Sequence, residues 1–266
     1  MSRSGQVLRK TLRDQRRGLT GWGLGIVVLV LIEGALWPSV RDMPQLDELL
    51  EGYPAAMKEL FDLDSMSTGV GFLNAELFTL VLPILFIVFG VGRGARLVAG
   101  EEEAGTLEML LVTPLSTTRL LLEKALGLLV SVFVLGIVCG LVTVLVSTMF
   151  SMDVPVGHAA VGSLAMVLIG VEFGWLALAA GAVSGRRAVA IATSGVAAVA
   201  AYVLYVAGHL VDSLHEGMAW SPFHQALADG PMDAAVPLRF GWLIVGALAV
   251  LALALPAFGR RDIRAV

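Results

Sequence analysis

Six long apolar stretches, separated by polar segments, dominate the pattern of hydrophobic and polar residues along this 266-residue chain. Each stretch is long enough to cross a bilayer as a helix, because a helix rises about 1.5 Å per residue and the hydrocarbon core is about 30 Å thick. A helix also satisfies its own backbone hydrogen bonds in lipid, whereas the strands of a membrane barrel are about half as long and alternate in polarity. The predicted spans are residues 19–37, 72–91, 125–150, 159–183, 188–211 and 240–258.

The composition agrees with lipid as the solvent. Apolar residues make up 57% of the chain and charged residues 15%, whereas soluble proteins average about 45–50% and about 25%. The single cysteine, Cys139, lies within a predicted span, so no internal disulfide is expected. The sequence therefore predicts an all-α integral membrane protein.

Lysine and arginine are distributed unequally between the two sides of the six spans. With both termini inside, fifteen of these residues fall in cytoplasmic segments and only Arg41, Lys58 and Arg239 fall outside. The positive-inside rule therefore predicts that the N- and C-termini are both cytoplasmic.

The basic segment before the first span, residues 4–18, places Val7, Leu8 and Leu12 among arginines and lysines. As a helix, such a segment lies in the inner membrane interface with its cations near anionic headgroups. We therefore divide the chain into an N-terminal interfacial elbow helix, 1–18, and a six-helix transmembrane domain, 19–266. Gly18 and Gly21 would allow a bend between the two. The alternative is a basic tail that only sets the orientation.

The ends of a short helix are marked in the loop between the second and third spans. Gly105 permits a reversal of the backbone, and Thr106 can cap the turns that follow. Pro114 ends the helix, because Thr113 before it is biased away from helical geometry. Ser116 or Thr117 can then cap the next helix.

One face of this short predicted helix is apolar. Leu107, Leu110 and Leu111 lie on one side at helical spacing, while Glu108 lies in the first turn, where the helix dipole favours an anion. The pattern indicates a rigid amphipathic segment suited to transmitting motion from a soluble partner. An ordinary interfacial loop explains the same residues equally well.

Residues 101–116 read Glu-Glu-Glu-Ala-Gly-Thr-Leu-Glu-Met-Leu-Leu-Val-Thr-Pro-Leu-Ser, which resembles the signature of type-2 ATP-binding-cassette permeases. That signature combines an acidic pair, Gly-Thr-Leu-Glu, a leucine pair and Thr-Pro with a later lysine, which Lys124 matches. The layout is also similar, with a basic elbow, six spans, a large first outer loop and a short inner turn at 184–187. The chain departs from the pattern at Thr117 and Thr118, where the family often has an arginine directly after the serine.

The resemblance implies the permease subunit of an exporter in the plasma membrane, with a second permease copy and a cytoplasmic ATPase subunit as partners. Residues 105–113 would be the coupling helix that docks into the ATPase. Glu101, Glu102 and Glu103 would lie at the cytoplasmic boundary and pair with basic groups of the elbow or of the ATPase. The expected coupling residues are Glu101, Glu102, Glu103, Gly105, Thr106, Leu107, Glu108, Leu110, Leu111, Thr113 and Pro114.

ATP is expected on the partner subunit, because the sequence contains no Gly-x-x-x-x-Gly-Lys-Ser/Thr loop. We expect this chain to be a transport subunit rather than an enzyme, with no directly bound cofactor or metal and no nucleic-acid partner. The outer-side histidines are interpreted as solvated polar groups, with a metal site as the less favoured alternative.

The main alternative is an ion-coupled secondary transporter, or another multi-pass membrane protein without an ATPase partner. Paired intramembrane ions, broken helices and repeat symmetry are typical of such transporters, whereas the middle of these spans is almost free of charge. Glu172 is an exception near the middle of the fourth span, where a charge costs about 2.5–3.5 kcal/mol. We expect it either to line the substrate path or to anchor a neighbouring helix through a hydrogen bond.

Overall fold

The computed structural model describes residues 6–43, 52–61, 63–106 and 116–261, and these residues form helices and turns without a strand. Six helices in these ranges are long and apolar enough to cross a membrane. The predicted all-α fold with six spans is therefore confirmed. The helices are α1 (Gln6–Arg41), α2 (Val81–Ala95), α3 (Thr117–Met149), α4 (Val156–Ser184), α5 (Arg187–Leu210) and α6 (Phe240–Gly259).

Helix α4 is the centre of the bundle. It packs against α2, α3, α5 and α6, whereas α1 packs mainly against α3. In its most apolar stretch 72% of the residues are buried, compared with 22% in α1 and in α5. Helices α1, α5 and α6 therefore present most of their apolar side chains to the surroundings of the bundle.

The closest helix contact joins α2 to α4 through facing glycines. A Cβ atom on Gly90 would lie 2.2 Å from the carbonyl oxygen of Gly170, and one on Gly94 would lie 2.1 Å from that of Gly174. Both helices thus carry glycines four residues apart, the spacing that allows membrane helices to approach backbone to backbone. Any side chain at Gly90 or Gly94 would force the two helices apart.

Helix α1 includes both the basic N-terminal segment and the first span. It continues without interruption from Gln6 to Arg41, through Gly18 and Gly21, so the predicted elbow and the first span belong to one helix. The two glycines cost a helix only about 1 kcal/mol each, which packing against α3 offsets. The location of residues 1–18 in the membrane interface stays a prediction.

The contacts between α1 and α3 show that the two helices run parallel from their first turns. The backbone N–H of Leu8 donates to Glu123 Oε2 at 3.3 Å, so a carboxylate compensates a free amide at the start of α1. Two turns later, Ser131 Oγ donates a hydrogen bond to Gln15 Oε1. These polar contacts hold the basic segment along α3 and extend α1 beyond the predicted span.

The second span is broken near its middle. A short helix, Gly69–Leu73, leads into a π-helical turn, Asn74–Phe78, and α2 begins only after a non-helical residue, Leu80 (φ −132°, ψ −55°). Pro83 accounts for the break, because it cannot donate to the carbonyl of Thr79 and its ring crowds that group. The predicted single span 72–91 therefore consists of two helical pieces.

The remaining boundaries follow from caps. Helix α3 begins eight residues before the predicted 125, because Ser116 Oγ accepts from the backbone N–H of Arg119 at 3.3 Å and caps it. Helices α4 and α5 are joined by the predicted tight turn, in which Gly185 adopts φ +66°. A left-handed glycine is the common way to end a helix, and it makes α4 and α5 antiparallel neighbours.

Candidate functional site

Five helix termini and the segment after α2 meet at one end of the bundle. These are the first turns of α1, α3 and α5 and the last turns of α4 and α6. The sequence predicts that all of them face the cytoplasm, and we call this end the inner end. The segments assigned to one side by their charge are thus brought together by the fold.

The segment that leads from α2 toward the predicted coupling helix ends in a well-defined stop. After a π-helical turn, Arg96–Gly100, the short helix Glu101–Glu103 closes at Gly105, which has φ +66°. The N–H of Gly105 bonds to the carbonyl of Glu102 and that of Thr106 to the carbonyl of Glu101, each at 2.9 Å. This double pattern is a Schellman motif, and a left-handed residue at Gly105 is what it requires. The predicted reversal at Gly105 is confirmed.

Three successive carboxylates precede this stop, and each points to a different helix. Because successive side chains of a helix are about 100° apart, Glu101, Glu102 and Glu103 fan out rather than share a face. The Oε2 atom of Glu101 is 2.7 Å from Lys124 Nζ on α3, and the Lys124 side chain is only 1% exposed. This contact joins the acidic and the lysine elements of the sequence signature.

Glu102 pairs with Arg261, which directly follows α6. Arg261 donates through Nη2 to Glu102 Oε1 and through Nη1 to the carbonyl oxygen of Ala182 at 2.9 Å. The Arg261 guanidinium therefore connects three elements: the short acidic helix, the end of α6 and the last turn of α4.

Glu103 compensates the start of α5. Its Oε1 atom accepts a hydrogen bond from the backbone N–H of Arg187 at 2.8 Å. Arg186, the N-cap residue of α5, provides no side-chain cap, so the Glu103 carboxylate takes that role beside the positive end of the helix dipole.

We call these contacts the acidic junction: Glu101, Glu102 and Glu103 with Lys124, Arg187 and Arg261. It differs from the expectation that the carboxylates pair with the elbow or with the ATPase, since their described partners belong to α3, α5 and the residue after α6. Sequence reasoning counted Arg261 and Arg187 only as topology signals, and spacing alone contains no signal for their partners.

The other predicted coupling residues lie only partly in the described ranges. The side chain of Thr106 points toward the preceding short helix, and its Oγ1 donates a hydrogen bond to the carbonyl oxygen of Glu101 at 3.1 Å. The remaining six, Leu107, Glu108, Leu110, Leu111, Thr113 and Pro114, lie outside the described residues. Their assignment to a coupling helix stays a prediction, although the helix stop at Gly105 and the cap at Ser116 enclose them.

Glu172 lies on α4 where that helix contacts α6. Its Oε2 atom is buried and has no hydrogen-bond partner among the described residues. Its Oε1 atom would be 2.7 Å from a Cβ on Gly246, so the carboxylate occupies the space that this glycine leaves. The predicted hydrogen-bonded anchor is therefore not seen within the described part of the chain.

The described residues contain no group of three or more histidine, cysteine, aspartate or glutamate side chains that could hold a metal ion. Among the outer-side histidines, His209 Nδ1 is 2.8 Å from the carbonyl oxygen of Tyr205. The inner-end arrangement consists of ion pairs and helix caps that connect α3, α4, α5 and the residue after α6.

Comparison with known protein families gives a match to the ABC-2 family transporter proteins over residues 6–263. The chain belongs to the ABC-2 transporter family. It is a multi-pass membrane protein of transport function, in agreement with the resemblance of residues 101–116. Comparisons with curated proteins and with solved structures found no match for this ABC-2 protein.

Proposed function

We propose that this chain is the permease subunit of an ATP-driven exporter in the plasma membrane. It works with a second permease copy and with a separate cytoplasmic subunit that binds and hydrolyses ATP. Membership of the ABC-2 family supports a transport role, and the absence of a phosphate-binding loop in the sequence supports a separate ATPase.

The acidic junction is the observation that carries the coupling role. Along the chain, residues 107–115 follow the Schellman motif at Gly105 and precede α3, which is capped by Ser116. A force on this segment would reach α3 directly, and it would reach α3, α5 and α6 through the three carboxylates. Movement of the ATPase would in this way act on several helices at once.

Burial gives the junction its stiffness. Exposed ion pairs contribute only about 0–1 kcal/mol, whereas breaking one partner of a buried pair costs about 3–5 kcal/mol. Lys124 is almost fully buried, and the Arg261 and Glu102 side chains are 21% and 14% exposed. The Glu101–Lys124 and Glu102–Arg261 pairs therefore hold their elements more firmly than solvated charges would, whereas the contact of Glu103 with Arg187 is exposed.

Two substitutions of Gly105 test the proposal. Gly105 has φ +66°, and a Cβ atom on it would meet no atom of the described residues within 4 Å, so within the described part of the chain the backbone conformation limits what can replace it. Valine is strained by about 1–3 kcal/mol at such an angle, whereas asparagine tolerates it. We expect Gly105→Val to reduce export and transport-stimulated ATPase activity at least tenfold with normal membrane insertion, and Gly105→Asn to retain both.

The assay uses the protein in membranes of its host together with its ATPase, and compares the two variants at equal expression. Equal export and ATPase activity in both variants would contradict the coupling role. Equal loss of membrane insertion in both would show that Gly105 acts on folding, and Leu110→Asp would then be used on the predicted docking face.

A further inference from the structure

A groove of about 560 Å³ lies between α1 and α2. Its floor is formed by Gly18, Gly21 and Gly25 of α1, and Val81 and Leu85 of α2 contribute to its wall. Gly21 and Gly25 are exposed, and a Cβ atom on either would meet no other atom within 4 Å. The groove is therefore open to the surrounding lipid and not filled by the described part of the protein.

The Arg93 guanidinium lies at one end of this groove, the end closer to the predicted cytoplasmic side of the bundle. A Cβ atom on Gly18 would lie 1.5 Å from Arg93 Nη2, so the guanidinium rests directly on the glycine. The Arg93 guanidinium is 5.5 Å from the centre of the Phe89 ring, which in turn contacts Trp22 edge to face at 5.7 Å. This stack fixes the cation against the wall of the groove.

Arg93 has no anionic partner in the described part of the chain. No described carboxylate lies within ion-pair distance of it, and the charged group that acts on it is another cation, Arg96. Arg17, directly before Gly18, is exposed on α1. The groove thus combines an apolar, glycine-lined length with a positive charge at one end that no described carboxylate compensates, which is the complement of an anionic amphiphile.

We propose that this groove binds an anionic phospholipid of the inner leaflet, with one acyl chain along Gly21 and Gly25 and the phosphate at Arg93, which covers Gly18. A basic residue near an anionic lipid surface contributes about 1 kcal/mol, which corresponds to about a fivefold preference over a zwitterionic lipid. The glycines keep the groove wide enough for a chain, and Trp22 lies beside it. The proposal does not depend on the ATPase.

Trp22 provides a direct measurement. The full-length protein is reconstituted in vesicles with phosphatidylglycerol or phosphatidylcholine carrying dibrominated acyl chains, and the Trp22 emission is obtained by difference from Trp22→Phe. Bromine in the groove quenches this emission. We expect phosphatidylglycerol to quench at about one fifth of the mole fraction that phosphatidylcholine requires.

Two variants assign the effect to the groove, each with a matched control. Arg93→Gln should bring the two lipids to equal quenching, and Gly21→Leu, whose side chain would extend into the groove, should weaken quenching by both. Arg186→Gln, an exposed inner-end cation, and Gly241→Leu, an equally open glycine on α6, should behave as the unmodified protein.

Equal quenching by the two lipids in the unmodified protein would overturn the proposal, as would a preference that survives both Arg93→Gln and Gly21→Leu. Absence of quenching by either lipid would show that protein, such as a second copy of the chain, covers the groove. If Arg93→Gln does not fold, the decision rests on Gly21→Leu, whose β-carbon would meet no described atom within 4 Å.

Discussion

Glu172 places a carboxylate between α4 and α6 without a hydrogen-bond donor among the described residues. Of the two roles that the sequence predicts for it, an interhelical anchor needs a donor on the facing helix. The facing residue is Gly246, which has no side chain to donate. A role in the substrate path stays a prediction, and the cost of burying an unpaired polar group makes a purely structural role for this carboxylate unfavourable.

Replacement of Glu172 by leucine should separate these roles. An unsatisfied buried polar group costs about 1–3 kcal/mol, so Glu172→Leu should raise the free energy of unfolding and the Tm in detergent while export falls. Glu172→Gln keeps the shape and polarity and serves as the control. A lower Tm in Glu172→Leu would instead show an anchoring contact, and unchanged export with unchanged Tm would exclude both roles.

At the scale of helices and their connections, the inner end is held by side-chain contacts between elements far apart in the chain. The short acidic helix Glu101–Glu103 has almost no packing surface of its own, and none of its three residues is buried. Its position depends on the acidic junction and on the helices that provide the partners. Removing a partner should therefore loosen this element before it affects the glycine-packed contact of α2 and α4.

The pair formed by Glu101 and Lys124 can be measured by a double-mutant cycle. Lys124→Met leaves a carboxylate without its partner and should lower the free energy of unfolding by about 3 kcal/mol. Combining it with Glu101→Gln should cost less than the sum of the two single changes. Arg119→Met breaks the exposed pair with Glu123 and should cost less than about 1 kcal/mol.

The cycle is read by thermal unfolding in detergent, followed by the far-ultraviolet signal. Additive effects of Lys124→Met and Glu101→Gln would contradict the pairing. An effect of Arg119→Met as large as that of Lys124→Met would show that burial does not determine the strength of these ion pairs.

For the whole molecule, the sequence predicts the number and location of the spans well, because the length of an apolar run needs no knowledge of the fold. The ends of the helices are predicted less well. Residues 6–18 continue α1 because they pack against α3, and the second span breaks at Leu80 because Pro83 removes a hydrogen bond one turn earlier. Caps, prolines and tertiary contacts therefore determine the helix boundaries, which hydropathy alone does not predict.

The candidate site shows the same division. Local chemistry predicts the reversal at Gly105 and the cap at Ser116, and both are observed. The partners of Glu102 and Glu103 are separated from them by 159 and 84 positions, a distance at which sequence spacing contains no information. The motif identifies the acidic segment, but only the fold shows that its carboxylates act within the chain.

The central claim is that this ABC-2 protein transports by coupling to a separate ATPase. The most direct measurement is purification of the tagged protein from its host in mild detergent, with identification of the co-purified chains and an ATPase assay. We predict a nucleotide-binding partner with ATPase activity, both lost on Leu110→Asp while the amount of permease is unchanged. A homogeneous preparation without ATPase activity would contradict the claim and favour an ion-coupled secondary transporter.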